Sequence, residues 1–267
     1  MLRPARVRET TRAAAFRLLG ERRFEDLRAA HVARKIRDGR YRPAEVDLLA
    51  RFVHPGDSAI DVGANFGAYA YHLALLTGDS GRVFAFEAAP PTCRALRRVL
   101  ASLDVAGRVE VVEKAVGDRR GTVAFVVPRR SDGSADAGRA SALMSGGTGA
   151  AAANELAVPL TRLDDEIPPE REVSFVKIDI EGADLFALRG AEAIIARSRP
   201  ALLIEVAPRL LARHGLSGAD IDSFLHERGY VTYRYENAGA GPVPVAAADI
   251  SGDLLAVHDT RTAQLEQ

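Results

Sequence analysis

A short apolar segment followed by a glycine turn constrains the fold of this chain more than any other feature. Residues 59–62 read as a buried strand, and Gly63 and Gly67 let the backbone turn tightly into a helix that begins near Gly67. A strand, a glycine turn and a helix in this order open an α/β unit that can hold a cofactor on its turn. The sequence therefore predicts an α/β fold with a cofactor site at this turn.

The spacing of the glycines narrows the class of cofactor. A dinucleotide fingerprint reads G-x-G-x-x-G, and its middle glycine lets the pyrophosphate approach the backbone. Here the glycines read G-x-x-x-G, and Asn65, which keeps a side chain, stands near the middle position. Glu87 ends the next strand, about twenty residues past Gly67, where an acid accepts hydrogen bonds from ribose hydroxyls. S-adenosylmethionine, a nucleoside cofactor without a pyrophosphate, fits both facts. An NAD-dependent oxidoreductase stays open as the alternative.

Length and charge limit the possible partners. The 267 residues, 47% of them hydrophobic, suit one large α/β domain with additions. The formal net charge is zero, so no overall field favours nucleic acid. The single cysteine, Cys93, and the lack of a long apolar run predict a cytoplasmic protein with neither disulfides nor membrane spans. The excess of Arg over Lys suggests a GC-rich bacterial genome.

The N-terminal segment differs in charge from the rest of the chain. Residues 1–42 carry thirteen basic against five acidic side chains. Residues 9–38 read as helical, with Leu27, Val32 and Ile36 among their interrupted apolar residues. Their basic residues form either the solvated face of a helix packed against the core or a lid or docking surface for an acidic substrate. We interpret residues 1–42 as a basic helical extension and residues 43–267 as the main domain.

Three further regions complete the element pattern. Residues 121–127 read as a strand that runs antiparallel to its predecessor at 109–112, because only a short Gly-Asp turn separates the two. Residues 129–155 form a low-complexity insert, interpreted as a mobile loop over the substrate site with Ser141 as its contact residue. Strands predicted at 230–235 and 253–257 form an antiparallel pair at the sheet edge.

A later strand carries charged residues at its carboxyl end. Residues 173–180 read as a strand, and a helix is predicted from 183 to 196. If this strand lies beside residues 59–62, Asp179 opens into the cleft near the glycine turn. An equally good interpretation is that Asp179 and Glu181 cap the N-terminus of the following helix.

Several short motifs stand in a fixed order between residues 55 and 206. They are Pro55-Gly56-Asp57, Ile60 to Gly67, Phe86-Glu87 with Pro90, Lys114 to Asp118, Thr161 to Asp165, Val176 to Asp184, Leu188 to Ala191, Arg199-Pro200 and Ile204-Glu205-Val206. In this combination the chain resembles the FkbM family of S-adenosylmethionine-dependent methyltransferases, over about residues 43–210. The ordered set is specific, whereas the glycine turn alone would be a weak signal.

The resemblance implies a fold, a reaction and cofactor-binding residues. The fold is Rossmann-like class I methyltransferase: a mostly parallel central sheet with helices on both faces, an antiparallel edge and N-terminal helices. The reaction is O-methylation of a hydroxyl on a small molecule, natural product or sugar. The implied cofactor contacts are Asp61, Gly63, Asn65 and Gly67 for the methionine portion, Glu87 for the ribose, and Val116 or Asp118 for the adenine edge.

Methyl transfer to a hydroxyl asks for few protein groups. Displacement at carbon needs collinear alignment in a dry site, and an alcohol acceptor gains from a base within hydrogen-bond reach. We expect Asp179 to be that base, with Glu181 supporting it or binding substrate. His214 is a weaker candidate, because a lone His in its context more often caps a helix. No metal site is expected. A non-catalytic cofactor-binding or scaffold protein stays open as a further alternative.

Overall fold

The computed structural model describes residues 20, 23, 26–126, 141–143, 155–235, 241–246 and 249–266. Within them the helices are α1 (26–37), α2 (Val46–Leu49), α3 (Ala68–Thr77), α4 (Pro90–Ser102), α5 (Leu163–Glu166), α6 (Asp184–Arg189), α7 (Glu192–Ser198), α8 (Pro208–Leu211) and α9 (Gly218–His226). The strands are β1 (Ser58–Val62), β2 (Arg82–Phe86), β3 (Val109–Val112), β4 (Ala115–Val116), β5 (Gly121–Val126), β6 (Ser141–Leu143), β7 (Glu155–Thr161), β8 (Val173–Ile178), β9 (Ala201–Val206), β10 (Tyr230–Arg234), β11 (Val243–Pro244) and β12 (Gly252–His258).

The larger sheet has the doubly wound order expected of a Rossmann-like methyltransferase. In the described residues its order is β11-β10-β12-β9-β8-β1-β2-β3. The strands from β9 to β3 are parallel, whereas β12 runs antiparallel between β9 and β10. This confirms the predicted fold class, including its antiparallel edge. The strand order reverses between β1 and β8, which is where ligands bind in such sheets.

Strand alternation divides the core into two layers, one on each face of the sheet. On one face, Ala59 of β1 packs with α1 to α4. On the other, Ile60 and Val62 pack with α6, α7 and α9. Because β1 is covered on both faces, all five of its residues are buried. Because both layers pack against β1, the position of its carboxyl end is fixed.

The N-terminal helix α1 belongs to the first of these layers. Its Ala29, Val32, Ala33 and Ile36 are buried and stand on one face of the helix. An ion pair also joins α1 to α4, because Arg98 of α4 lies 2.9 Å from the Asp26 carboxylate. The described part of the basic segment is thus packed against the domain, and the boundary at residue 42 stays a prediction.

The second sheet corrects one predicted pairing. We expected the strand at 121–127 to pair with the strand before it. Instead β5 pairs antiparallel with β7 and β6, and β4 pairs with β7, in a separate four-stranded sheet of the described residues. The chain leaves the larger sheet at Lys114, whose ammonium lies 2.6 Å from the Glu166 carboxylate. This ion pair joins the segment between β3 and β4 to α5.

The predicted helix from 183 to 196 is wrong as one element. It divides at Gly190 into α6 and α7. A Cβ at Gly190 would lie 2.0 Å from the Gly117 carbonyl oxygen, so the two backbones touch there. The Asp164 carboxylate then accepts the amides of Ala193 and Ile194, each at 3.0 Å, and starts a new helix.

The insert at 129–155 lies mostly outside the described residues, as do residues 9–19 of the predicted basic helix. Within the insert, residues 141–143 form β6 and residue 155 begins β7. The mobile loop and the role of Ser141 therefore stay predictions. Within the described part of the chain, no helix has both the length and the apolar character needed to cross a membrane.

Candidate active site

The carboxyl ends of β1, β2, β8 and β9 open into a cavity of about 260 Å³. Four of the predicted cofactor residues line it, namely Gly63, Asn65, Glu87 and Val116. Both predicted catalytic acids, Asp179 and Glu181, line it as well, as do Lys114, Phe125 and Glu205. The cavity lies at the switch point of the sheet and combines acidic groups with apolar walls, as ligand sites commonly do.

Gly63 brings the first turn into direct contact with β8. Its φ is +83°, and an added Cβ would lie 1.9 Å from the backbone oxygen of Asp179. The Asp179 amide also donates to the Val62 carbonyl at 3.0 Å. Only glycine fits this approach, because any side chain would push the two strand ends apart. The predicted glycine turn and the predicted base are therefore held side by side.

Glu87 ties the glycine turn to the loop after β2. One carboxylate oxygen accepts the Asn65 amide at 3.0 Å, and the other accepts the Ala89 amide at 2.9 Å. Burial raises the pKa of Glu87, and the hydrogen bonds from Ala89, Asn65 and Ala88 oppose that rise. Asn65 itself has φ +49°, and its side-chain oxygen is buried without a protein partner. Glu87 is thus oriented by two backbone donors at the wall of the cavity.

A second cavity, of about 330 Å³, lies against the first and has residues of α1 in its wall. The two cavities share Gly63, Asn65 and Asp179. Polar side chains of Asp61, Lys177 and Tyr69 form part of its wall, and α1 contributes Val32 and Ile36. The second cavity therefore has a polar, charged wall and an apolar wall.

Asp61 and Lys177 are neighbours across β1 and β8. Both are 2% exposed. Burial raises the pKa of Asp61 to about 7, against the lowering effect of Lys177 and of the Ala70 amide. Its Oδ2 has no protein partner, and it faces the second cavity. The Lys177 ammonium lies 3.9 Å from the Asp253 carboxylate and 5.2 Å from the centre of the Tyr69 ring.

Asp179 has a carboxylate partner that we did not predict. Its side chain is hydrogen-bonded to Glu205 of the neighbouring strand β9. Burial raises the pKa of Asp179, while Lys177 and the hydrogen bond to Glu205 lower it. The hydrogen bond to Asp179 raises the pKa of Glu205 to about 7, with burial as the second cause. Glu205 belongs to a quoted motif, but only the pairing of β8 with β9 reveals its place.

Glu181 stands on a tight turn after β8. Both Glu181 and Gly182 have positive φ, +56° and +98°. Asp184, which is fully buried, accepts the Ile180 amide at 3.2 Å and holds this turn. Burial raises the pKa of Asp184 to about 6. The residues after Asp179 thus form a strained turn that presents Glu181 to the cavity, and helix α6 begins after Ala183, which offers no capping side chain.

The remaining predicted residues divide between the cavity wall and other places. Val116 lines the cavity, opposite Phe125 of the second sheet. Asp118 lies elsewhere, where its carboxylate meets Arg119 at 3.1 Å. Gly67 has φ +83° and packs against Leu96, so it shapes the turn without lining either cavity. His214 contacts the Phe186 ring, with 5.7 Å between ring centres, away from both cavities.

The apolar and basic wall residues were harder to foresee. Phe125 comes from a strand whose partner we mispredicted, and no motif marks it. Lys114 belongs to a quoted motif, although its ion pair with Glu166 depends on the fold. Across the described residues, no group of three or more His, Cys, Asp or Glu side chains is placed to hold a metal ion.

Comparison with protein families gives one match that covers most of the domain. The model of the methyltransferase FkbM domain matches residues 61–232. This span contains the glycine turn, Glu87, Asp179 and Glu205. A comparison with curated proteins gives no significant match.

Solved structures of methyltransferases resemble the chain at low sequence identity. The methyltransferase FkbM from Methylobacillus flagellatus KT is 21% identical, with a TM-score of 0.47 over 76% of this chain and 43% of its own. An O-methyltransferase from Bacillus cereus, solved with S-adenosylhomocysteine, is 15% identical, with a TM-score of 0.47 over 94% and 97%. Aeropyrum pernix fibrillarin, solved with S-adenosylmethionine, is 13% identical, with a TM-score of 0.42 over 77% and 68%. The chain thus spans less than half of the M. flagellatus protein.

Proposed function

The chain belongs to the FkbM methyltransferase family, whose cofactor is S-adenosylmethionine, and from this premise we propose that it methylates a hydroxyl oxygen of a small molecule. A sugar or a natural product is the acceptor class that we favour. The observation that carries the proposal is a single cavity with a backbone-oriented Glu87 at one wall and the Asp179–Glu205 carboxyl pair at another. These are the groups that a nucleoside cofactor and a hydroxyl acceptor need.

The residues of the cavity fit this cofactor. Gly63 lets the ends of β1 and β8 meet at the cavity wall, because a Cβ there would collide with the Asp179 backbone. Asp61 Oδ2 and Asn65 Oδ1 are buried without protein partners, so they are available to a ligand's donors. Glu87 would hold the ribose hydroxyls, and Val116 with Phe125 would flank the adenine. When bound, the cofactor supplies a methyl group that its positive sulfonium has already activated for displacement.

The protein's own part in the reaction is to orient the acceptor and to receive a proton. Asp179 would accept the proton of the acceptor hydroxyl at a carboxylate oxygen, because it lines both cavities and has a raised pKa. Glu181 would bind the acceptor from its turn. The apolar residues of α1 would exclude water from the acceptor side.

Calorimetric titration of the purified protein tests the cofactor half of the proposal. We expect micromolar binding of S-adenosylmethionine and S-adenosylhomocysteine and no binding of NAD. Glu87→Ala should weaken binding of both by at least about tenfold, since it removes the acceptor of the ribose hydroxyls. Glu110→Ala is the matched control, because Glu110 is an exposed strand acid that lies 3.4 Å from Arg82. NAD binding alone would contradict the proposal.

Transfer of a labelled methyl group to a panel of sugars and hydroxylated small molecules tests the second half. We expect Asp179→Asn to lose turnover by roughly 10²- to 10⁴-fold while it keeps cofactor affinity, because the base acts on the acceptor. Transfer only to amines or carbon acceptors would refute O-methylation. Equal loss of cofactor binding in Asp179→Asn and Glu87→Ala would show that Asp179 has another role.

A further inference from the structure

Glu205 occupies the position on β9 that lies beside Asp179, the residue that follows β8. The two strands are parallel, and Ile178 pairs with Ile204, so the next residues along each strand stand side by side. Both side chains line the cavity at the carboxyl ends of the strands, and the interaction between their carboxyl groups is the largest cause of the raised pKa of Glu205. Two neighbouring carboxylates repel each other, and one shared proton relieves that repulsion. The geometry thus brings two carboxyl groups together where they can share a single proton.

The surrounding charges favour retention of that proton. Lys177 lies beneath the pair on β8 and lowers the pKa of both groups. The other groups that act on them are acids from four directions: Glu45 before α2, Asp253 on β12, Asp61 on β1, and Glu181 with Asp184 after β8. Two adjacent carboxylates in such surroundings repel each other, so one keeps its proton near neutral pH.

Positive charge added near the Asp179–Glu205 pair would favour loss of this proton. A cation near a carboxyl pair favours the ionised form of both members, because it offsets their repulsion. The cofactor of this family brings a positive sulfonium, whereas its demethylated product has an uncharged sulfur. Resting on the proposed function, we propose that Glu205 shares one proton with Asp179 and that the pair releases it to solvent when positive charge enters the cavity. The reaction at the protein is Glu205–COOH with Asp179–COO⁻ going to two carboxylates and one proton in the buffer.

This release leaves the pair ready to act as a base. A pair that still held its proton could accept another only by becoming neutral at both carboxyl groups. After release, Asp179 can take the proton of an acceptor hydroxyl and share it with Glu205. The base is thus produced by loading of the positively charged cofactor, and the product, which lacks that charge, leaves the pair protonated. Glu205 acts through Asp179 as its proton-sharing partner.

The number of protons that the protein releases when the cofactor binds can be measured without a methyl acceptor. S-adenosylmethionine is titrated into the protein near pH 7 in buffers with different ionisation enthalpies, and the slope of the observed enthalpy gives the protons released per site. We expect the wild type to release up to about one proton more than Glu205→Gln does with the same ligand. S-adenosylhomocysteine should show a smaller difference between the two proteins. Glu110→Gln, a change at an exposed acid far from the cavity, should match the wild type.

The outcomes separate the inference from the proposed function. Equal proton counts in the wild type and Glu205→Gln, with cofactor binding intact, would overturn the shared proton. The wild type and Glu205→Gln could also differ in proton release by the same amount with S-adenosylmethionine and with S-adenosylhomocysteine. That result would overturn the role of the sulfonium charge. Failure of both ligands to bind would overturn the proposed function and the inference with it. Asp179→Asn supplies a second variant, in which release should also be lost if the proton belongs to the pair.

Discussion

Gly63 is the residue on which the site geometry depends most directly. A side chain at Gly63 would be unfavourable for two reasons: the left-handed φ of this position, and a collision with the Asp179 backbone. We predict that Gly63→Ala destabilises the protein by roughly 2–4 kcal/mol and weakens cofactor binding. Gly107→Ala is the control, since a Cβ there meets nothing within 4 Å. Urea unfolding should show little change for the control, within about 1 kcal/mol. An equal loss of stability in Gly63→Ala and Gly107→Ala would contradict the close contact between Gly63 and Asp179.

Asp61 makes the stability of the cofactor-free protein depend on pH. Its pKa rises from 3.8 to about 7 on folding, so the native state binds its proton more tightly than the unfolded state. The resulting stabilisation is fully present below about pH 4 and is lost as pH rises through about 7. The shift corresponds to on the order of 4 kcal/mol as an upper bound. Asp61→Asn should therefore flatten the fall in melting temperature between these pH values.

An exposed acid provides the control for that experiment. The hydrogen bond from Arg42 lowers the pKa of Asp47, so Asp47 stabilises the native state above its unfolded pKa and loses this effect as pH falls. Asp47→Asn should leave the slope between pH 4 and 7 unchanged. Glu205 and Asp184 have raised pKa values and contribute in the same direction as Asp61. A slope as steep in Asp61→Asn as in the wild type would show that Asp61 does not titrate in this range.

Residues that end strands could be read from the sequence, because the site of a doubly wound sheet always lies there. Gly63, Glu87 and Asp179 follow from that rule together with the glycine turn. Glu205 also lies near a strand end, in one of the ordered motifs, but its contact with Asp179 depends on the register of β9 against β8 and could not be predicted. Its position next to Asp179 is a property of the pairing and leaves no mark in either strand alone.

At the level of elements, several motif residues stabilise the fold without touching the cavity. Asp164 caps α7 through two amides and is 7% exposed. We predict that Asp164→Ala lowers stability by about 1–2 kcal/mol, with cofactor affinity nearly unchanged. The neighbouring Asp165 pairs with an exposed Arg120, so Asp165→Ala should have an effect below about 1 kcal/mol. Thermal unfolding measures the loss of stability in each variant, and calorimetry measures its cofactor affinity. A large loss of cofactor affinity in Asp164→Ala would place it in the site instead.

The break between α6 and α7 shows why element boundaries were missed. Leu185, Leu188, Ala191, Ile194 and Ile195 keep a helical spacing across Gly190, so periodicity predicts one helix. The break comes from the contact of Gly190 with Gly117 and from the cap by Asp164, both of which are distant in sequence. The same holds for β5, whose antiparallel direction was foreseen but whose partners β6 and β7 were not.

At the scale of the whole molecule, the parallel sheet and its antiparallel edge could be predicted because strands and helices alternate along the chain. The packing of α1 against the core could be predicted from Val32 and Ile36, but its buried face could not, since Leu27 of the same apolar pattern is 58% exposed. The arginines of residues 1–42 dominate that segment, and two of its four buried positions are alanines, which carry little hydrophobic signal. Their spacing of three, four and seven residues is nevertheless that of a buried helical stripe.

The integration of α1 into the domain can be tested by two substitutions on the same helix. Ile36 is 1% exposed and lines the second cavity, whereas Leu27 is 58% exposed. If α1 is part of the core, Ile36→Ala should destabilise the whole domain by roughly 2–5 kcal/mol in one cooperative transition. Leu27→Ala should change stability by less than about 0.5 kcal/mol. If residues 1–42 instead form a separable extension, Ile36→Ala should leave the main transition unmoved. Only the first outcome makes α1 a fixed wall of the acceptor side, since a helix that detaches freely could not keep water from Asp179.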